Sequence, residues 1–248
     1  MPGLGDPPDG DWLGTPYLRF ERHGPLAHVV VDRPAKRNAL TPAMYFGLRH
    51  AVDHVGRDPD LAGLLITGVG DVFMPGGDPF DADDSWTGFP SSLGMDVTPF
   101  DTVRRAAKPV VCAVNGLCQG GGLVIAMVCD VAVASDRATF RAPELFRGIS
   151  DTNYGALLPR QVGPARARDM LLTGRVVTAG EAEAWGLVAR VVPHDDLLPA
   201  AVEVLGQCCR AAPGARFDIK RELHSYYGPY DRMAMDASLA GPEPEEGW

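Results

Sequence analysis

The chain has 248 residues, 46 % of them apolar and 22 % charged, enough to bury a large core without disulfides or metals and too apolar for wholesale disorder. A formal net charge of −9 argues against nucleic acid as a partner, because phosphate binding needs a concentrated basic face. The apolar runs are shorter than a membrane span, so no membrane association is expected. Five cysteines, Cys112, Cys118, Cys129, Cys208 and Cys209, form no C-x-x-C pair and sit beside no histidine cluster. They read as reduced thiols of a cytoplasmic protein, with no metal site expected.

Residues 1–15 are rich in Pro, Gly and Asp, lack a signal-peptide pattern and read as a flexible tail. Tyr17 to Glu21 and Leu26 to Asp32 form a β-hairpin around the turn signal His23-Gly24-Pro25. A loop from Arg33 to Leu40 leads to Thr41, a helix cap with Pro42 at the first helical position, and Met44, Leu48, Ala51, Val52 and Val55 follow at helical spacing. Leu61 to Thr67, Val110 to Val114 and Val128 to Ala134 read as buried strands separated by helical segments, the pattern of βαβ units with a mainly parallel sheet. Thr178 and Glu181 form a capping box, Gly186 stops that helix, and Leu187 to Val192 is a further strand. From His194 the chain reads as amphipathic helix until its Pro/Glu-rich end. Between Asp78 and Thr98 no period is visible, so residues 79–97 are expected to be a lid or a disordered loop.

Two glycine-rich points each follow a predicted strand: Phe73-Met-Pro-Gly-Gly-Asp78 and Asn115-Gly-Leu-Cys-Gln-Gly-Gly-Gly122. Ligands gather at the carboxyl ends of strands in such sheets. The second run opens an almost wholly apolar helix, Leu123 to Val128, whose first N–H groups have no intrahelical partners and favour negative charge. It lacks the Lys-Ser/Thr ending of a nucleotide P-loop and the spacing of a dinucleotide fingerprint.

In combination with Asp32-Arg-Pro-Ala-Lys-Arg-Asn-Ala-Leu40, Lys108-Pro-Val-Val-Cys-Ala-Val-Asn-Gly116, Cys129-Asp130, Thr173-Gly-Arg175 and Gly186-Leu-Val188, these runs resemble the crotonase family, the enoyl-CoA hydratase/isomerase family. The resemblance covers about residues 17 to 195. It implies an α/β fold, a crotonase-like spiral of ββα turns over residues 16–195, followed by a C-terminal helical trimerisation or lid region over 196–248. It also implies a homotrimer or hexamer, an acyl-CoA substrate and no cofactor beyond the CoA of the substrate.

Carried over residue by residue, the family's oxyanion-hole donors fall on the backbone N–H groups of Gly77 and Gly121. Fixed amide dipoles of this kind are worth about 3–4 kcal/mol each to a developing oxyanion. Arg33, Ala35, Lys36 and Ala39 are the matching CoA contacts, and Lys220 is a further candidate for phosphate. Of the two hydratase glutamates, one position is Val124 and the other is Glu144, in Pro143-Glu144. Glu144 is therefore the expected general acid/base, and a single carboxylate favours double-bond isomerisation or atypical hydration of an enoyl-CoA. Asp151 is either a second acid/base, or the nucleophile of a hydrolase or dehalogenase-like enzyme, or a helix cap. Asp78 is expected to fix its loop; Asp81, Asp83 and Asp84 could supply a replacement acid from the lid, but a charge cluster on a loop is usually solvated. A non-catalytic binding protein on the same fold is the remaining class.

Overall fold

A computed structural model describes residues 12–78, 99–149 and 151–225. The expectations for residues 1–11, for the segment 79–98 with Asp81, Asp83 and Asp84, and for the end of the chain beyond 225 lie outside the described residues.

Strands β1 (Leu18–His23) and β2 (Leu26–Val31) pair antiparallel across a turn in which Gly24 takes a φ of +60°. Helix α1 (Pro42–Arg57) begins where its cap predicts, with Thr41 Oγ1 accepting the Met44 N–H at 3.2 Å. A repeated unit comes next, in which a longer strand enters one sheet and a shorter strand then enters another. The pairs are β3 (Gly63–Gly68) with β4 (Val72–Met74), β5 (Val110–Val114) with β6 (Leu117–Gln119), and β7 (Val131–Ser135) with β8 (Thr139–Arg141). Helix α2 (Phe100–Arg104) follows the first pair, α3 (Gly121–Val128) the second, and α4 (Thr152–Val162) and α5 (Pro164–Thr173) the third. A last turn runs β9 (Val177–Thr178), α6 (Ala179–Trp185) and β10 (Arg190–Val192), and α7 (Leu197–Cys209) and α8 (Pro213–Ser225) close the described chain.

The large sheet has the order β1-β2-β3-β5-β7-β10 and the small sheet β4-β6-β8-β9. Apart from the β1–β2 and β8–β9 pairs, neighbours are parallel. This is the expected α/β spiral of ββα turns.

The central strands are apolar on both faces, as parallel strands covered on two sides must be. Leu64, Ile66, Val110, Cys112, Val114, Ala132 and Ala134 join the main core with α1 and α3. The alternate residues Leu65, Val111, Ala113 and Val133 pack against Leu197, Ala201, Val204 and Leu205 of α7. Helix α7 thus covers the second face of the large sheet, so the boundary drawn at residue 195 does not separate two packing units. The tail boundary moves as well: Leu13 is buried beside Gly47, and Trp12 stacks edge-on against Phe20 at 5.1 Å.

Two further expectations shift. Val128 ends α3 and the strand starts only at Val131, because the Cys129 N–H still donates to Ile125 O. Leu187 turns back to bond Ala182 O, so the last strand is three residues long. Among the described residues no helix is long and apolar enough to cross a membrane.

Two buried asparagines fasten the entry to the small sheet. Asn38 Nδ2 donates to Val69 O and Val72 O at 3.1 and 2.7 Å, and its Oδ1 accepts the Arg33 N–H at 3.0 Å. Asn115 Nδ2 donates to Gly70 O and also to Val72 O. Asn38 holds a left-handed φ of +60° that few residues other than Gly tolerate. Replacing Asn38 by Ala leaves the Arg33 N–H and Val69 O without their partner, removes one of the two bonds to Val72 O, and should cost roughly 2–4 kcal/mol in urea unfolding. A loss below about 1 kcal/mol would show that water satisfies those groups instead.

Candidate active site

The small sheet builds the site. Its strands β4, β6 and β8 lie side by side and parallel, Met74 opposite Cys118 and Gln119 opposite Arg141. The turns that leave these strands therefore emerge at one edge. After β4 come Pro75-Gly76-Gly77, after β6 comes Gly120-Gly121, and after β8 comes Ala142-Pro143-Glu144. Three of the sequence-predicted site residues, Gly77, Gly121 and Glu144, are thus delivered together from positions up to 67 residues apart.

The first two turns touch. A Cβ on Gly120, whose φ is +58°, would lie 2.5 Å from Gly76 Cα, so glycine is required on both sides of the contact. Leu40 bridges the first turn, donating its N–H to Gly76 O at 2.9 Å and accepting from the Asp78 N–H at 2.7 Å. That register leaves the N–H of Gly77 itself outside the bridge. Gly121 is the first residue of α3, so its N–H has no intrahelical acceptor. Tyr154 Oη donates to Gly120 O at 2.9 Å and fixes the peptide that carries the Gly121 N–H.

Glu144 stands at the start of a 3-10 turn (Glu144–Arg147) beside a cavity of about 180 Å³ lined by Ala142, Glu144, Leu145, Asp151, Tyr154, Gly155 and Leu171. Burial raises its carboxyl to about 7, and the charge of Asp151 adds to the rise. Its backbone N–H, Tyr154 and Arg147 pull the other way. Tyr154 is near enough to act on Glu144, but its proton goes to Gly120 O, and Glu144 Oε2 is buried without a partner. Asp151 lines the same cavity and is also the cap of α4, accepting the Asn153 N–H and Nδ2 at 2.9 and 2.6 Å. Both bonds fall on Oδ1, so Oδ2 stands outside the cap. Burial raises the Asp151 carboxyl, and the two bonds from Asn153 oppose the shift. A larger cavity of about 490 Å³ opens at the opposite, amino ends of the short strands, lined by Asn115 and His194 among others, and contains neither carboxyl.

Two expected phosphate contacts are corrected. Arg33 is buried, its guanidinium donating to Ala39 O at 2.9 Å and pairing with Asp78 at 3.1 Å while lying over the Tyr17 ring. It ties the loop to the residue after Gly77, and Asp78 fixes that loop as expected. Lys220 is buried as well, donating to Asp130 Oδ2 at 2.7 Å and Lys108 O at 3.2 Å. It straps α8 to the large sheet and presents no free ammonium. Ala35 and Lys36 stand exposed on a 3-10 turn (Pro34–Lys36), and Ala39 is half-buried. Val124 is fully buried inside α3 and lines neither cavity. Sequence reasoning missed Tyr45 and Tyr154. Tyr154 on α4 and Tyr45 on α1 both sit on the apolar face of a helix, where a phenol reads as core. Among the described residues the one group able to hold a metal is Glu21, His23 and His28, on the β1–β2 hairpin; none of the three lines the cavity beside Glu144.

A spiral of ββα turns with two glycine turns and a carboxyl at one edge defines the crotonase superfamily. Residues 21–237 match the family model Enoyl-CoA hydratase/isomerase, and the chain belongs to that family of enzymes. It is similar to a mevalonyl-coenzyme A hydratase of Aspergillus fumigatus, 37 % identical over 225 residues that span 87 % of this chain and 81 % of the relative. It is also similar to a carnitinyl-CoA dehydratase of Salmonella arizonae, 37 % identical over 206 residues, 79 % of this chain and 76 % of the relative. Among solved structures, an enoyl-CoA hydratase/isomerase from Pseudoalteromonas atlantica superposes with a TM-score of 0.79 at 30 % identity, covering 89 % of this chain and 88 % of that one. A monofunctional enoyl-CoA isomerase from M. smegmatis superposes with a TM-score of 0.73 at 32 % identity, covering 86 % and 94 %.

The raised Glu144 carboxyl makes stability depend on pH. The folded chain holds this proton up to about pH 7 whereas an ordinary glutamate releases it near 4.5, so stability falls as pH rises between those values. Glu144→Gln should therefore raise Tm relative to the parent at about pH 8 and converge with it near pH 4. An equal Tm difference at both pH values would contradict the buried-acid assignment.

Proposed function

We propose that this enzyme acts on an enoyl-CoA thioester, holding the carbonyl oxygen with the N–H groups of Gly77 and Gly121 while Glu144 moves a proton on the acyl chain. The observation that carries the reading is the convergence of those three groups at the carboxyl ends of β4, β6 and β8. Removing a proton next to a thioester places charge on the carbonyl oxygen, and fixed amide dipoles stabilise that charge without reorganising. Glu144 suits the transfer because a carboxyl titrating near 7 both accepts and returns a proton at neutral pH. The exposed turn with Ala35 and Lys36 is the remaining candidate surface for the CoA nucleotide.

Double-bond isomerisation is the favoured reaction, with atypical hydration next. Val124 supplies no second carboxyl, so the ordinary two-glutamate placement of water is missing. Asp151 beside the same cavity is the residue through which hydration would proceed. Neither route needs a cofactor beyond the CoA of the substrate. Five free cysteines fit a reducing compartment such as the cytoplasm.

Glu144→Gln should lower kcat at least a hundredfold while the Kd for a CoA thioester changes less than about threefold. With the native chain, kcat/KM should rise as pH climbs through about 7, because the base must be ionised, and the limb should vanish in the variant. Product analysis on 2-enoyl-, 3-enoyl- and dienoyl-CoA chains separates a shifted double bond from a hydroxyacyl product, and unchanged turnover in Glu144→Gln would remove Glu144 from the mechanism.

We further propose self-association as a trimer or hexamer. Leu145, Phe146 and Ile149 beside the site and Leu172 on α5 are large apolar side chains left exposed on the single chain. Sedimentation should give a trimer or its double, and a monomer at micromolar concentration would refute it.

A further inference from the structure

We propose that the Tyr45 hydroxyl is a third hydrogen-bond donor to the thioester oxygen, beside the N–H groups of Gly77 and Gly121. The proposal rests on the acyl-CoA reading above and adds a side chain to a site otherwise built from backbone.

Geometry places the phenol there. Tyr45 Oη is the nearest atom that a Cβ on Gly77 would meet, at 3.6 Å, and a Cβ on Gly121 would overlap the same oxygen. One hydroxyl therefore lies against both glycines, and neither of their N–H groups donates to it. The hydroxyl and the two glycines thus border one small volume, with no side chain on either glycine between them.

The phenol is rigidly held by the segment that also holds Gly77. Leu40 bridges Gly77, Thr41 caps α1, and the Tyr45 N–H donates to Thr41 O at 3.1 Å, so the six consecutive residues Leu40 to Tyr45 fix backbone and ring together. The ring is buried and meets Phe100 edge-on at 6.1 Å and 85°. Among the described residues Tyr45 Oη makes no hydrogen bond, whereas the neighbouring buried phenol of Tyr154 donates to Gly120 O. Packing alone would be served as well by phenylalanine.

Its protonation state suits a donor. Burial raises the Tyr45 phenol, and the charges of Asp151 and Glu144 raise it further, so it keeps its proton throughout the working pH range. It cannot serve as the base, which leaves that role to Glu144. Negative charge growing on the substrate oxygen would receive an O–H bond that no ground-state protein group now takes, and a bond that strengthens only as charge develops accelerates the reaction.

Titration of acetoacetyl-CoA, a thioester whose enolate absorbs in the near ultraviolet, tests this directly. The native chain should bind it and lower its apparent pKa. Tyr45→Phe should bind the neutral keto form with a Kd within about threefold, yet hold at least about threefold less enolate at the native midpoint pH. The same variant should lose about tenfold to a hundredfold in kcat with KM little changed. An undiminished enolate band in Tyr45→Phe overturns the proposal and leaves the ring as packing. Should that variant fail to fold, replacement of Tyr45 by 3-fluorotyrosine keeps the ring and makes the phenol a stronger donor. The enolate fraction should then increase, and an unchanged fraction overturns the proposal. Failure of the native chain to bind acetoacetyl-CoA at all would instead overturn the acyl-CoA reading on which the proposal stands.

Discussion

Three strands of three residues each, β4, β6 and β8, carry the geometry of the site, because their parallel pairing forces the turns after them to one edge. Strands this short cannot hold together unaided. Each is the continuation of a longer strand in the large sheet, so the position of β4, β6 and β8 is inherited from β3, β5 and β7, which are buried on both faces. The stability of the site is thus the stability of the main core. The asparagines make the coupling local, since Asn38 and Asn115 both donate to Val72 O at the very start of β4.

Backbone donors and side-chain acids are held by different means. The Gly77 and Gly121 turns are fixed by close contact, with Gly76 against Gly120, and by the hydrogen bonds of Leu40 and Tyr154. No change of nearby side chain alters the chemistry of an amide N–H. Glu144 and Asp151, by contrast, owe their titration to their surroundings: a mainly apolar cavity wall, one buried oxygen without a partner on Glu144, and the opposing charges that Asp151 and the exposed Arg147 present to Glu144. Substitutions in that wall would tune the acids while leaving the glycine turns in place.

Much of this was legible in the sequence, and the reasons differ between elements. The hairpin, the Thr41 cap, the capping box at Thr178 and the central strands announce themselves through turn residues, cap residues and β-branched runs, all local signals. Gly77, Gly121 and Glu144 were visible only because several motifs in fixed order resemble one family. The small sheet was not legible, since strands of two or three residues show no period. Arg33 and Lys220 were misread for a related cause. A basic residue looks available to a ligand until its acid partner is known, and Asp78 and Asp130 lie 45 and 90 residues away in sequence. Tyr45 escaped because its apolar ring satisfies the helical pattern, and the pattern says nothing about where its one polar atom ends.

Those two internal ion pairs also bear on recognition. With Arg33 spent on Asp78 and Lys220 on Asp130, neither cation is free to greet phosphate in a chain whose net charge is −9. In the proposed function, attraction of an anionic nucleotide then falls to a small number of exposed groups such as Lys36 rather than to the overall field, and such contacts weaken steeply with salt. Specificity is left to the inner end of the substrate. In the proposed function the contacts there are the Gly77 and Gly121 N–H groups, which respond to charge on one oxygen, and the acid is Glu144, raised toward neutrality by burial. An arrangement of this kind holds the ground state modestly and concentrates its interactions on the enolate, which is where differential binding accelerates a reaction.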